Sequence, residues 1–311
     1  MAKITAVIIY SIIEANSLTQ VLTNRCSLAT FISMSAKTTT KPANFSIQKG
    51  IPTSDGAGVK LRRYIGTRDQ SMFDPFLLLD IFANDDPDAY IAGFPSHPHR
   101  GFQTVTYLIE GKMRHRDSKG HEGVLQSGGV QWMTAGKGII HSEMPEQEDG
   151  MLFGSQLWVN LPSHLKMMEP SYQDLAAEDF PVVKDQGSSV KLIAGNYNGV
   201  NGPANTHIPI FYFDVRLTSD HDFQYQAPAD YNVFLILFSG QLDIESSKAV
   251  AGDIVFFTGT DIKVKASADS HFLAIGGQPI GEPVARGGPF VMNTQEEVWK
   301  AYYDYEAGRI G

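Results

Sequence analysis

The chain has 311 residues, with 25 Lys plus Arg against 34 Asp plus Glu, for a formal net charge of −9. That acidic balance argues against direct nucleic-acid or anionic-membrane partners, because both need a basic surface. The single cysteine, Cys26, excludes an intramolecular disulfide and a multi-thiolate metal site, so any metal must be held by His, Asp or Glu.

Residues 1–45 differ from the rest. Lys3, Arg25, Lys37 and Lys41 face one acid, Glu14, and twelve of the 45 positions are Ser or Thr. The apolar stretch Ile4 to Ile13 has the length of a signal-peptide core, but no small-x-small cleavage site follows, and arginine is too scarce for a transit peptide. The segment reads as a disordered extension, or as one placed before a true start at Met34. No run of about 18 apolar residues occurs, so no transmembrane helix is expected, and the protein is expected to be cytoplasmic.

From Ile47 onward, short β-branched and aromatic runs recur between Gly, Pro, Asn and Asp. They include QTVTYLIEG (103–111), GSQLWVNLP (154–162), KLIAGNY (191–197), IPIFYFDVRL (208–217), YNVFLILFSGQLDIE (231–245), DIVFFTG (253–259) and HFLAIGG (271–277). Closely spaced strands with turn signals predict an all-β sandwich or barrel rather than a βαβ sheet. LPSHLKMMEPSYQDLAAEDFPVV (161–183) is polar and poor in strand pattern, and reads as a connection between two units. The halves share a grammar of strand, Gly turn and strand: LIEGKMRH with GGVQWM, and LFSGQLDI with AGDIVFF. A duplicated barrel would look like this. TQEEVWKAYYDYEAG (294–308) offers a Thr cap, two early glutamates and a final Gly, with Val298, Tyr302 and Tyr305 at helical spacing.

Five of the nine histidines, His97, His99, His115, His121 and His141, lie within 45 residues. His97-Pro-His99 and His141-Ser-Glu143 each have i, i+2 spacing, which on a strand sends both side chains to one face. If the two strands meet, three imidazoles and a carboxylate converge. Such a set suits Fe(II), Mn, Co, Ni or Cu and leaves octahedral positions open. His115 and His121 flank the turn RDSKG (116–120) and read as solvated loop residues. Arg100, beside the candidate ligands, is a candidate partner for an anionic substrate or for Asp117.

H-x-H followed by G-x-x-H is a loose form of the cupin metal signature. HPHRGFQTVTYLIEG (97–111), RDSKG (116–120), QWMTAGKGIIHSE (131–143) and GGPFVMNTQEE (287–297) resemble the pirin family of bicupins, over about residues 46 to 311. The resemblance implies two tandem cupin (double-stranded β-helix, jelly-roll) barrels with a short C-terminal helix. The barrels are expected at 46–165, holding metal, and 166–311, without it. It further implies one divalent metal, usually iron, on His97, His99, His141 and Glu143. Pirins commonly carry Glu where this chain has Gln103, a weak ligand that cannot act as a base. By the same resemblance the expected activity is that of a quercetin 2,3-dioxygenase, cleaving a flavonol with O2, with Glu143 also the catalytic proton acceptor. The alternative is an iron-dependent, redox-sensing regulator that binds a protein partner.

Overall fold

A computed structural model describes residues 44–147 and 149–311, so the expectations for the N-terminal extension lie outside the described residues except at its last two positions. Among the described residues strands dominate and one α-helix closes the chain, as the patterning predicts. Among the described residues no helix is long and apolar enough to cross a membrane.

The first barrel is built from two antiparallel sheets. Its broad sheet runs Ser171–Leu175, Val130–Thr134, Phe102–Glu110, Leu152–Asn160, Phe76–Asn84, Val59–Ile65 and Ile51–Asp55 in spatial order. Its smaller sheet runs Phe94–His99, Ile139–Pro145, Lys112–Asp117 and Glu122–Gln126. Leu61, Phe82, Leu108 and Met113 fill the interior between them. The second barrel is one large antiparallel sheet centred on the long strands Asn232–Ile244 and Asp261–Gly277, with Phe213, Leu235 and Phe272 inside.

The barrels share an apolar seam. Val105, Trp132 and Leu157 from the broad sheet pack in one cluster with Tyr212, Phe234 and Leu273 from the second barrel. Continuous apolar runs such as NVFLILF and DIVFF follow from this arrangement, because their strands are buried on both faces. Tyr107 also donates a hydrogen bond across the seam to Asp214, whose other oxygen lies 2.7 Å from His271 Nε2.

Two strands pair across the expected 165/166 division. Ser171–Leu175 joins Val130–Thr134, and Phe45–Lys49 joins Asp253–Phe257 in the second barrel. The polar SYQDL escapes strand patterning because it forms a sheet edge, where neither face is fully covered.

The helix Gln295–Glu306 starts at the expected cap: Thr294 accepts from the Glu297 amide and Glu297 reaches back, forming a capping box. Its inward residues are Val298, Ala301 and Asp304, whereas Tyr302 and Tyr305 are exposed. The buried stripe thus includes an acid, and the reason lies in the candidate site.

Candidate metal centre

The two predicted i, i+2 pairs lie on neighbouring antiparallel strands. His97 and His99 belong to Phe94–His99, His141 and Glu143 to Ile139–Pro145, and His141 sits opposite His97 in the register. Ring centroids are 4.6 Å apart for His97–His99, 4.5 Å for His97–His141 and 5.1 Å for His99–His141. One nitrogen from each ring falls within 4.8 Å of the others, and among the described residues this is the one such His/Cys/Asp/Glu cluster.

The imidazoles have the electronic character of ligands. His97 Nδ1 lies 2.8 Å from the Pro95 carbonyl, which only accepts, so Nδ1 donates there and Nε2 is the nitrogen turned toward the other rings. That Nε2 is 2.9 Å from His99 Nε2. His99 and His141 are buried, and burial pushes the His141 imidazole down to about 4, reinforced by neighbouring His97 and His115 against the pull of Glu143. Burial, followed by His141 and His97, likewise holds His99 well below the usual imidazole range. Both rings are therefore neutral near pH 7. His99 Nδ1 and both nitrogens of His141 are buried without a hydrogen-bond partner. A transition metal takes one lone pair from each imidazole, and the mutually close ring nitrogens, one from each histidine, fit that demand.

Glu143 is not among the mutually close ligand atoms. A bulge separates it from His141 against the strand Phe94–His99. Its buried carboxylate is held from two sides: the Thr106 hydroxyl donates to Oε1 at 2.8 Å and Gln156 Nε2 donates to Oε2 at 2.8 Å. Gln156 Oε1 in turn accepts from Trp158 Nε1 at 3.2 Å. Gln103 points elsewhere and donates to Thr134 at 2.9 Å.

Two expectations are corrected. His115 is not a solvated loop residue: it is buried on the strand Lys112–Asp117, opposite Glu143, and stacks on Tyr172. A period-2 reading of KMRHRD would have placed Met113 and His115 on one inward face. His121 is exposed as expected and bonds Asp117 at 2.9 Å. Arg100 meets neither an open cavity nor Asp117. Its Nη1 donates to Asp304 at 2.8 Å and its Nε to the Lys137 carbonyl at 2.6 Å. This is why the terminal helix buries an acid.

The C-terminal segment thereby closes over the first barrel. Val291 N donates to the Arg100 carbonyl at 3.1 Å, and buried Lys166 bridges the carbonyls of Gly101 and Val291 at 2.8 and 3.0 Å. Gly101 permits the approach, since a Cβ there would lie 2.0 Å from the Val291 oxygen.

His97 and His99 face a cavity of about 590 Å³ walled by Phe94, Gln156, Trp158, Arg63 and Arg286. That volume lies in the range of small-molecule sites. Sequence patterning misses Gln156, Trp158 and Thr106. The first two carried a signal, because Gln156-x-Trp158 has the same one-face spacing as the ligand pairs.

Two cupin barrels in one chain, with three histidines gathered in the first, define a bicupin with a candidate metal centre. Comparison with known proteins narrows the class. Residues 58–159 match the Pirin family and residues 212–311 match the Pirin C-terminal cupin domain. A pirin-like protein of Caulobacter vibrioides is 48% identical over 268 residues, covering 85% of this chain and 97% of the relative. Pirin-like protein 2 of Arabidopsis thaliana is 44% identical over 268 residues, covering 83% and 82%. The crystal structure of a quercetin 2,3-dioxygenase from Acinetobacter baumannii matches with a TM-score of 0.80 at 33% identity, over 86% of this chain and 97% of that one. The chain belongs to the pirin family.

Proposed function

We propose that this chain is a metal-dependent dioxygenase of the quercetin 2,3-dioxygenase type. It would open a flavonol ring with O2 at a centre held by His97, His99, His141 and Glu143. The observation that carries the reading is three converging imidazoles, of which His97 and His99 line a 590 Å³ cavity, with an anchored carboxylate on the strand of His141. The 33% identical quercetin 2,3-dioxygenase of Acinetobacter baumannii supports the choice of substrate. Fe(II) is the proposed metal, since imidazole and carboxylate donors with open positions suit non-haem iron.

The bound metal would acidify a hydroxyl it holds and provide the site for O2 chemistry. The residues have distinct tasks. Glu143 accepts the proton of the flavonol 3-hydroxyl. Thr106 and Gln156 hold that carboxylate in one orientation, so little ordering is needed when the proton arrives. Trp158 and Phe94 supply apolar wall for a flat ring system. In the overall reaction both oxygen atoms of O2 enter the ring-opened ester, and one ring carbon leaves as carbon monoxide.

The test is reconstitution of the purified chain with Fe(II), addition of quercetin in air, and measurement of visible absorbance and carbon monoxide. Turnover by the wild type and none by His141→Ala is the expected result. Intact quercetin in the presence of one bound metal per chain would refute the proposal and favour the redox-sensing regulator.

A further inference from the structure

Two guanidinium groups face the cavity beside His97 and His99, and their surroundings differ. Arg63 is committed: its Nε and Nη2 bind the two oxygens of Asp80 at 2.8 and 2.6 Å, and Nη2 also reaches Asp55 at 2.6 Å. Arg286 is not. Among the described residues it has no carboxylate within ion-pair distance, and its one hydrogen bond runs from Nη1 to the Leu77 carbonyl at a long 3.3 Å. Most of its five N–H donors are unused.

Arg286 is nevertheless held in place. Its guanidinium carbon sits 4.7 Å from the centre of the Trp158 ring. That indole is itself fixed, packed 4.4 Å from Phe102 and 5.2 Å from His99 between ring centroids, with its N–H on Gln156. The backbone is anchored on both sides. Glu282 accepts from the Ser163 amide and hydroxyl at 2.7 and 3.0 Å, and the strand Phe290–Met292 pairs with Ala285–Gly287. A cation fixed by an aromatic face and left without an acid is poised to receive an anion.

We infer that Arg286 is the specificity-determining residue of this cavity, and that its substrate class is planar aromatic compounds bearing an anionic oxygen group, which the Arg286 fork binds. The inference rests on the reading that the substrate occupies this cavity. Phe94 and Trp158 supply apolar wall for the ring, and Arg286 supplies the charge. Arg100, the arginine next to the ligands in sequence, is consumed by Asp304 and cannot fill this role.

The test uses the metal-loaded full chain as wild type, Arg286→Gln and Arg286→Lys. Titration calorimetry measures binding of three probes: quercetin, quercetin 5′-sulfonate and salicylate. A charge-assisted contact at a partly exposed site should favour the sulfonate over quercetin by about tenfold in the wild type. Arg286→Gln should erase that preference and weaken salicylate about tenfold, and Arg286→Lys should retain part of both. An unchanged sulfonate preference in Arg286→Gln, or no binding of either anion to the wild type, overturns the inference. Quercetin consumption reads the flavonol proposal separately. Anion binding lost in Arg286→Gln without quercetin turnover removes the flavonol and keeps Arg286; turnover without any anion preference does the reverse.

Discussion

Asp304→Ala should release the C-terminal helix from the first barrel. Asp304 accepts from Arg100 at 2.8 Å, from Lys300 at 2.8 Å and from Arg309 at 2.9 Å. Lys300 and Arg309 are largely exposed and contribute little, because solvent screens them. Arg100 is different: its side chain is 5% exposed and that of Asp304 8%. Removing the carboxylate leaves a buried guanidinium with only the Lys137 carbonyl on Nε. Breaking one side of a buried pair costs about 3–5 kcal/mol, and the remaining carbonyl contact argues for the lower end. About 3 kcal/mol corresponds to roughly a hundredfold rise in the population of the undocked helix. Amide hydrogen exchange over Gln295–Glu306 and Phe290–Met292 would read that rise directly. A double variant, Arg100→Met with Asp304→Leu, should recover most of the lost protection, because apolar side chains of similar volume remove the stranded charge. Wild-type exchange rates in Asp304→Ala would refute the claim that this pair holds the segment. So would a double variant as labile as the single one, which would make the helix contact depend on something other than charge.

Two further outcomes follow from the same contacts. The side-chain bond from Lys300, then those from Arg100 and Arg309, hold Asp304 below the usual carboxylate range. With the folded value depressed, its contribution is complete above the unfolded pKa of about 3.9 and is lost as pH falls below it. Acid unfolding monitored by circular dichroism should therefore be less steep below about pH 4 in Asp304→Ala than in the wild type. Gly101→Ala should lower stability by more than about 2 kcal/mol, since φ is +88° and the new Cβ meets the Val291 oxygen at 2.0 Å. A thermal melt within a degree of wild type would show that the closure over Arg100 yields at no cost.

Much of this protein follows from periods of two along short stretches of chain. The alternation in 103–111 and the doubly buried runs at 231–245 and 253–259 specify strands, because a pleat sends neighbouring side chains to opposite faces whatever happens elsewhere. The same rule places His97 with His99 and His141 with Glu143, so the candidate ligands were legible as two pairs. The terminal helix was legible from its cap. Only the tertiary structure decided that the two pairs share a ladder, because the register His141 opposite His97 depends on strands about 40 residues apart. It also decided that Arg100 finds Asp304, across 204 residues, and that Arg286 reaches the first barrel's cavity from the end of the second. The polar edge strand Ser171–Leu175 and the burial of His115 belong to the same group. Local pattern encodes which face a side chain takes, and that is settled by backbone geometry alone. Which distant group waits on that face is settled by chain closure and packing, and no local pattern records it.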